Sequence, residues 1–135
     1  MNILITGVHG FVGRNLATAL NKQYTLYGLD IVSPSTNGIV KTFGWNEFEQ
    51  IPPVDLIIHL AGKAHDTKSH FLAQTYFDVN TGLTKRIYDY FLLSSAKKFF
   101  FFSSVKAVAD SVQNGMLRNI ERRTLFQYSD SGLRL

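Results

Sequence analysis

The sequence predicts an α/β protein built on a doubly wound parallel sheet of about five strands. Short, continuous apolar runs alternate along the chain with longer segments whose apolar residues recur every three or four positions. The short runs are typical of strands buried on both faces of a parallel sheet, and the longer segments are typical of amphipathic helices. Glycines cluster directly after the first run, where such a sheet leads into its first helix.

Four strands and one helix are predicted in the first half of the chain. The helix is predicted from Phe11 to about Asn21, because Val12, Leu16 and Leu20 form one apolar stripe. The runs that predict strands are bounded by glycine, proline or polar turn residues, and they cover residues 2–6, 24–30, about 39–43 and 55–61.

The second half of the chain predicts one long helix and one further strand. The helix covers about Ala73 to Ser94 and contains Gly82, which costs roughly 1 kcal/mol relative to alanine in a helix. We therefore expect a close contact at Gly82. The apolar run Phe99–Phe102 predicts the fifth strand, and its four phenylalanines lead us to expect cover on both of its faces.

Composition limits the classes of function. The chain has 135 residues, of which 45% are hydrophobic and 18% charged, as in a small globular domain. The absence of cysteine excludes disulfides and thiolate metal sites. No apolar run is long enough to span a membrane, and no signal peptide is recognised, so we expect a cytoplasmic protein without a membrane partner. The formal charge of +4 comes from scattered lysines and arginines, so a nucleic-acid partner is not indicated.

The glycine cluster carries the strongest functional signal. Gly7, Gly10 and Gly13 are spaced three apart between the first strand and the first helix. Glycine allows the backbone to approach a pyrophosphate there, and the amides at the helix N-terminus stabilise its charge. Asp30 follows 20 residues after Gly10, at the end of the second strand, where a carboxylate accepts hydrogen bonds from an adenosine ribose. The combination predicts a Rossmann-like dinucleotide site, and Asp30 favours NAD over NADP because it repels a 2′-phosphate.

Plainer interpretations compete with this one. In the first, the glycines serve only the turn from strand to helix and Asp30 caps a loop. His9 is interpreted as a solvent-facing residue of the glycine loop, and His59 as a hydrogen-bonded core residue of its strand. His65 and His70 lack the spacing and the partners of a metal site, so no metal is expected.

Five segments together resemble the NAD-dependent epimerase/dehydratase family of the extended short-chain dehydrogenase/reductase superfamily, over roughly residues 1–112. The remaining residues, 113–135, form a basic tail outside the resemblance. The segments are Thr6–Gly13, Asp30, Asp55–Gly62, Asp78–Gly82 and Phe102–Lys106.

The resemblance implies an NAD site and a nucleotide-sugar substrate. It places Phe11 and Val12 with the glycines at the cofactor, and it places the segment Leu60, Ala61 and Gly62 beside the nicotinamide ribose. It also implies that Asn80 supports the active site from the long helix. Ser103 is assigned to the cofactor site, and Ser104 is assigned as the catalytic serine that contacts the substrate hydroxyl.

The sequence departs from the family in one essential motif. The resemblance implies a Tyr-x-x-x-Lys pair for proton transfer. None of the six tyrosines here is followed by lysine at that spacing. We therefore expect a truncated or frame-disrupted NAD-binding portion that is inactive alone and prone to self-association at the strand 99–102. The alternatives are a non-catalytic NAD-sensing or partner-binding module and an interaction protein whose basic tail uses Arg118, Arg122 and Arg123 on nucleic acid.

Overall fold

The computed structural model describes residues 1–32, 34, 36–62, 73–102, 112–113 and 116–117, with side chains in the second helix described from Asp78 onward. The chain divides into two compact units, Met1–Phe102 and Ser103–Leu135. The second unit contains an antiparallel pair of two-residue strands, β6 (Val112–Gln113) and β7 (Met116–Leu117). The first unit contains the sheet and the helices predicted from the sequence.

The first unit contains the two α-helices and five strands that the sequence predicts, and its second, third and fourth strands follow one another without an intervening α-helix. A short 3-10 turn, Phe48–Gln50, lies before the fourth strand. The elements are β1 (Asn2–Thr6), α1 (Phe11–Leu20), β2 (Thr25–Leu29), β3 (Lys41–Phe43), β4 (Leu56–His59), α2 (Ala73–Leu93) and β5 (Lys98–Phe101).

The five strands form one parallel sheet in the order β3-β2-β1-β4-β5, which confirms the predicted Rossmann-like fold class. The strand order reverses at β1, which pairs with β2 on one side and with β4 on the other. The register places Thr6 opposite both Leu29 and His59, so the carboxyl ends of three strands meet at one edge. Ligands of open α/β sheets bind at this kind of switch point.

The core consists of one apolar cluster on each face of the sheet. Side chains that alternate along β1 serve the two clusters, since Ile3 and Ile5 join one and Leu4 joins the other. The α1 side also contains Val8, Ala17, Leu26, Leu56 and Ile58. The α2 side also contains Leu29, Phe43, Trp45, Ile51, Val54, Ile57 and Ile87.

The prediction that Val12 belongs to the buried stripe of α1 was wrong, because the stripe begins one residue later, at Gly13. Val12 is 49% exposed, whereas Gly13 and Ala17 are the buried residues of the helix. Leu16 and Leu20 are half-buried and pack beside this stripe. The small residues face the sheet because α1 begins in close contact with the loop that precedes it, where a larger side chain has no room.

The expectation that both faces of the fifth strand are covered was also wrong. Phe99 packs against Tyr88 and Phe91 on the α2 side, but Phe100 and Phe101 are 54% and 55% exposed. β5 is the outermost strand of the five, so it pairs within the sheet only with β4. The phenylalanine run therefore forms an exposed apolar edge of the first unit.

Gly82 does not make the close contact that the sequence led us to expect. It is exposed on α2, and no heavy atom of the described residues lies within 4 Å of a Cβ built at this position. The glycine therefore carries its entropic cost without a compensating contact.

Gly82→Ala is expected to raise the free energy of unfolding by about 1 kcal/mol, because alanine restricts the unfolded chain and meets only open space in the folded one. Urea denaturation of the two proteins measures this difference. An unchanged or lower midpoint in the variant would show that the surface of α2 at Gly82 is occupied.

Candidate functional site

The loop between β1 and α1 turns sharply at Gly7 and lies against the end of β4. Gly7 has a φ of 69°, a conformation that side-chain-bearing residues rarely adopt. Its amide donates to the carbonyl oxygen of Leu29 at 2.8 Å, and a Cβ at Gly7 would lie 2.9 Å from the Cα and N of Ala61. The backbone that follows β1 therefore lies so close to the backbone that follows β4 that a residue with a side chain would not fit at Gly7.

Gly13 brings the first turn of α1 onto the same loop. A Cβ at this position would meet the carbonyl oxygen of Gly7 and would lie 2.7 Å from the Cα of Val8. These are backbone atoms, which cannot rotate away. Phe11 and Val12, which the resemblance assigned to the cofactor, lie in the same turn with 86% and 49% of their surfaces exposed.

The N-terminus of α1 is open to an anion. Gly10 is the N-cap residue, no side chain caps the helix, and its first turn contains no acidic residue. The first amides of a helix have no partner within the helix, so they present donors and a partial positive charge. Gly10 and the first two residues of the helix, Phe11 and Val12, are exposed.

Asp30 stands at the same edge of the sheet, directly after β2. Its Oδ2 accepts a hydrogen bond from the amide of His9 at 2.9 Å, and its Oδ1 accepts one from the amide of Ile31 at 2.8 Å. The carboxylate is thus tied to the glycine loop. A carboxylate offers about four acceptor sites, and these two bonds from described residues use one site on each oxygen.

His9 is not the solvent-facing residue that the sequence predicted. Its Nδ1 lies 3.1 Å from the hydroxyl of Thr36, and its Nε2 is buried without a hydrogen-bond partner among the described residues. The reason is the connection from β2 to β3, which covers the glycine loop at Thr36. Sequence periodicity gives no signal for such a contact.

His59 is a hydrogen-bonded core residue, as predicted. It is 1% exposed, its Nδ1 lies 2.7 Å from the hydroxyl of Thr6, and its Nε2 lies 3.0 Å from the hydroxyl of Thr84. The ring stacks on Phe101, with centroids 5.6 Å apart. Burial lowers the pKa of His59 from 6.5 to about 4, so the imidazole is neutral at physiological pH.

The segment after β4 is held by β1 and approaches α2. The amides of Leu60 and Ala61 both donate to the hydroxyl of Thr6, at 3.2 and 3.0 Å. A Cβ at Gly62 would lie 3.3 Å from the Oδ1 of Asn80. Four residues singled out in the sequence, Leu60, Ala61, Gly62 and Asn80, therefore lie close together. The hydrogen bonds of the Thr6 hydroxyl to this segment were not predictable from the sequence.

Trp45, whose environment the sequence left open, belongs to the core. It is 9% exposed and packs edge-on against Phe48. The guanidinium of Arg86 lies over the Trp45 ring at 5.9 Å from its centroid and donates to the Trp45 carbonyl oxygen.

Several candidate residues fall outside the part of the chain that the structure describes. Ser103 and Ser104 lie there, as do His65 and His70. Within the described residues, no cluster of metal-ligating side chains occurs. Among those residues, too, no helix has the length and apolar character needed to cross a membrane.

The NAD dependent epimerase/dehydratase family matches residues 3–129 of the chain. This match extends past residue 112, where the resemblance seen in the sequence ended. The chain belongs to this family. A comparison with curated proteins gave no match.

Solved structures of the same fold are similar to most of the chain. A short-chain dehydrogenase/reductase superfamily protein from Agrobacterium tumefaciens with bound NAD has a TM-score of 0.69 at 24% identity, covering 90% of this chain and 40% of its own. UDP-glucose 4-epimerase from Bifidobacterium longum, in complex with NAD+ and UDP, has a TM-score of 0.64 at 23% identity, covering 77% and 37%. The UDP-Glc/GlcNAc 4-epimerase from Campylobacter jejuni has a TM-score of 0.66 at 21% identity, covering 88% and 43%. This chain thus spans about two fifths of the length of these proteins.

Proposed function

We propose that this chain binds NAD and is the dinucleotide-binding portion of a nucleotide-sugar epimerase/dehydratase-like protein. The observation that carries the proposal is the meeting of the glycine loop, the uncapped start of α1 and the Asp30 carboxylate at the switch point of the sheet. Family membership supports it, as do the NAD bound in two of the similar structures and the UDP bound in one of them.

The residues of the site fit the parts of a dinucleotide. Gly10, the exposed N-cap residue, has no side chain beside the first helix amides, which suits a pyrophosphate, and Gly7 and Gly13 allow the close backbone packing that holds the loop there. Asp30 offers acceptor lone pairs to the hydroxyls of the adenosine ribose. The segment Leu60–Gly62 continues along the same edge and suits the nicotinamide ribose.

The site favours NAD over its 2′-phosphorylated form. The Asp30 carboxylate repels a phosphate at the ribose 2′-position. The first cationic side chain after it, Lys41, donates to the Oε1 of Gln50 at 3.3 Å and lies over the ring of Phe43. That lysine is therefore engaged elsewhere.

Bound NAD supplies a hydride acceptor, and this chain's residues hold and orient it. The 135 residues contain no Tyr-x-x-x-Lys pair to move a proton to or from a sugar hydroxyl. We therefore propose that this chain alone binds the dinucleotide without converting a nucleotide sugar. Ser104 remains the proposed substrate contact, and Ser103 and Asn80 remain proposed members of the cofactor site.

Asp30→Asn is expected to weaken NADH binding at least tenfold, because the amide keeps the shape of the side chain but loses a charged acceptor. Isothermal titration calorimetry of the purified chain measures the dissociation constants. Asp89→Asn makes the same chemical change at an exposed position of α2 and is expected to bind like the wild type. Equal affinities in all three proteins would remove Asp30 from the site, and no binding by a folded wild type would overturn the proposal.

A non-catalytic NAD-sensing or partner-binding module is the second candidate. The observation that favours it is the exposed phenylalanine edge at β5, which offers an apolar surface next to the proposed site. Size-exclusion chromatography with and without NAD separates the candidates. A discrete, soluble species whose size depends on NAD supports the module, whereas indiscriminate aggregation contradicts it.

A further inference from the structure

We infer that His59 is a positioning residue of the dinucleotide site, which sets the place of the segment Leu60–Gly62 through the hydroxyl of Thr6. This inference rests on the proposed function, since it concerns the part of the site that suits the nicotinamide ribose. His59 lies in β4, and its two side-chain hydrogen bonds go to Thr6 and Thr84. Its effect on the segment Leu60–Gly62 is therefore indirect.

The hydrogen bonds around Thr6 assign the proton positions. The Thr6 hydroxyl accepts from the amide of Ala61 and shares the amide of Leu60, which donates at 3.2 Å both to this hydroxyl and to the Thr6 carbonyl oxygen, so both of the hydroxyl's lone pairs face amides. Its own proton is then directed to Nδ1 of His59, at 2.7 Å. Nδ1 is therefore the unprotonated nitrogen of the neutral ring, and Nε2–H donates to the hydroxyl of Thr84 at 3.0 Å.

The orientation of the Thr6 hydroxyl depends on this acceptor. Without an acceptor at Nδ1, the buried hydroxyl would carry an unsatisfied proton, and rotating to find another partner would turn its lone pairs away from the two amides. An aliphatic residue at position 59 would provide no acceptor for this proton. The imidazole therefore does more than fill space between β4 and α2.

The far side of the imidazole connects the same segment to α2. Thr84, which accepts from Nε2, lies one helical turn after Asn80, so both residues lie on one face of α2. Asn80 in turn approaches Gly62. Thr6, oriented by His59, thus holds the start of the segment Leu60–Gly62. The face of α2 to which His59 is hydrogen-bonded lies close to the end of the same segment.

Two substitutions separate the two halves of the imidazole. His59→Asn places an acceptor where Nδ1 stands and loses the bond to Thr84, whereas His59→Gln reaches towards Thr84 and loses the acceptor for Thr6. Each folded variant is titrated with NADH and with ADP, which lacks the nicotinamide half. We expect His59→Gln to weaken NADH binding about tenfold while changing ADP binding less than twofold. We expect His59→Asn to retain most of the wild-type affinity for NADH.

A merely structural role for His59 predicts a different result. Both variants would then weaken both ligands in proportion to their loss of stability, and that result would overturn the inference while NADH binding by the wild type upholds the proposed function. A folded wild type that binds neither ligand overturns the proposed function and the inference with it. If both His59 variants fail to fold, Thr6→Val and Thr6→Ser replace them. Valine is then expected to weaken NADH selectively and serine to restore it, and equal effects on NADH and ADP would overturn the inference.

Discussion

Gly13→Ala is expected to abolish measurable NADH binding and to lower the free energy of unfolding by about 3 kcal/mol. The added methyl group would meet the carbonyl oxygen of Gly7 and stand 2.7 Å from the Cα of Val8. Because both are backbone atoms, the start of α1 must move away from the loop. Such a movement displaces the helix amides and the turn at Gly7 together, and these are the parts of the site that suit a pyrophosphate.

Gly10→Ala is the matched control for this prediction. A Cβ at Gly10 would meet one atom, the carbonyl oxygen of Gly7, at 3.2 Å, which a shift of a few tenths of an ångström relieves. We therefore expect a stability loss below about 1 kcal/mol for this variant. Urea denaturation and calorimetry with NADH provide both measurements. Wild-type stability and affinity in Gly13→Ala would show that the loop and helix are not packed as described.

Acidification is expected to destabilise the chain by up to about 3 kcal/mol through His59 alone, given its pKa of about 4 in the folded state and 6.5 as the ordinary value. Since the folded-state pKa is the lower one, the unfolded chain binds the proton more readily between these values. The contribution of His59 is therefore complete above pH 6.5, declines as the pH falls, and is lost near pH 4. Burial of the imidazole is the cause, because it penalises the charged form.

The pH dependence of unfolding in urea tests this prediction, and His59→Asn serves as the reference. Asparagine does not titrate, so the variant is expected to show a shallower dependence between pH 6.5 and 5. The difference in slope between the two proteins approaches about 1.4 kcal/mol per pH unit, the value for one proton. Parallel profiles would contradict the lowered pKa of His59.

The fold and the outline of the site follow from local sequence patterns. Apolar runs predicted all five strands of the sheet, and the spacing of Gly7, Gly10 and Gly13 predicted a sharp connection between β1 and α1. These signals are readable because each depends on residues near one another in the chain. The position of Asp30 was likewise predictable, since the end of a strand that neighbours β1 lies at the same edge of the sheet as the end of β1 itself.

The contacts that complete the site depend on residues far apart in sequence. Thr6 and His59 are separated by 53 positions, and His59 and Thr84 by 25. His9 and Thr36 meet across 27 positions. The error at Val12 has the same origin, because periodicity predicts an apolar stripe but does not reveal that the loop at Val8 leaves room only for Gly13. One signal for Thr84 was present, since it stands four residues after Asn80 on a predicted helix.

The strand order β3-β2-β1-β4-β5 has a consequence for how the protein forms during synthesis. Each strand after β1 pairs with a strand that precedes it in the chain: β2 and β4 with β1, β3 with β2, and β5 with β4. Each strand after β1 is therefore synthesised after a strand with which it pairs. The sheet of the first unit can thus form outward from its centre while translation continues. No strand of this sheet except the first has to remain unpaired until a later one emerges.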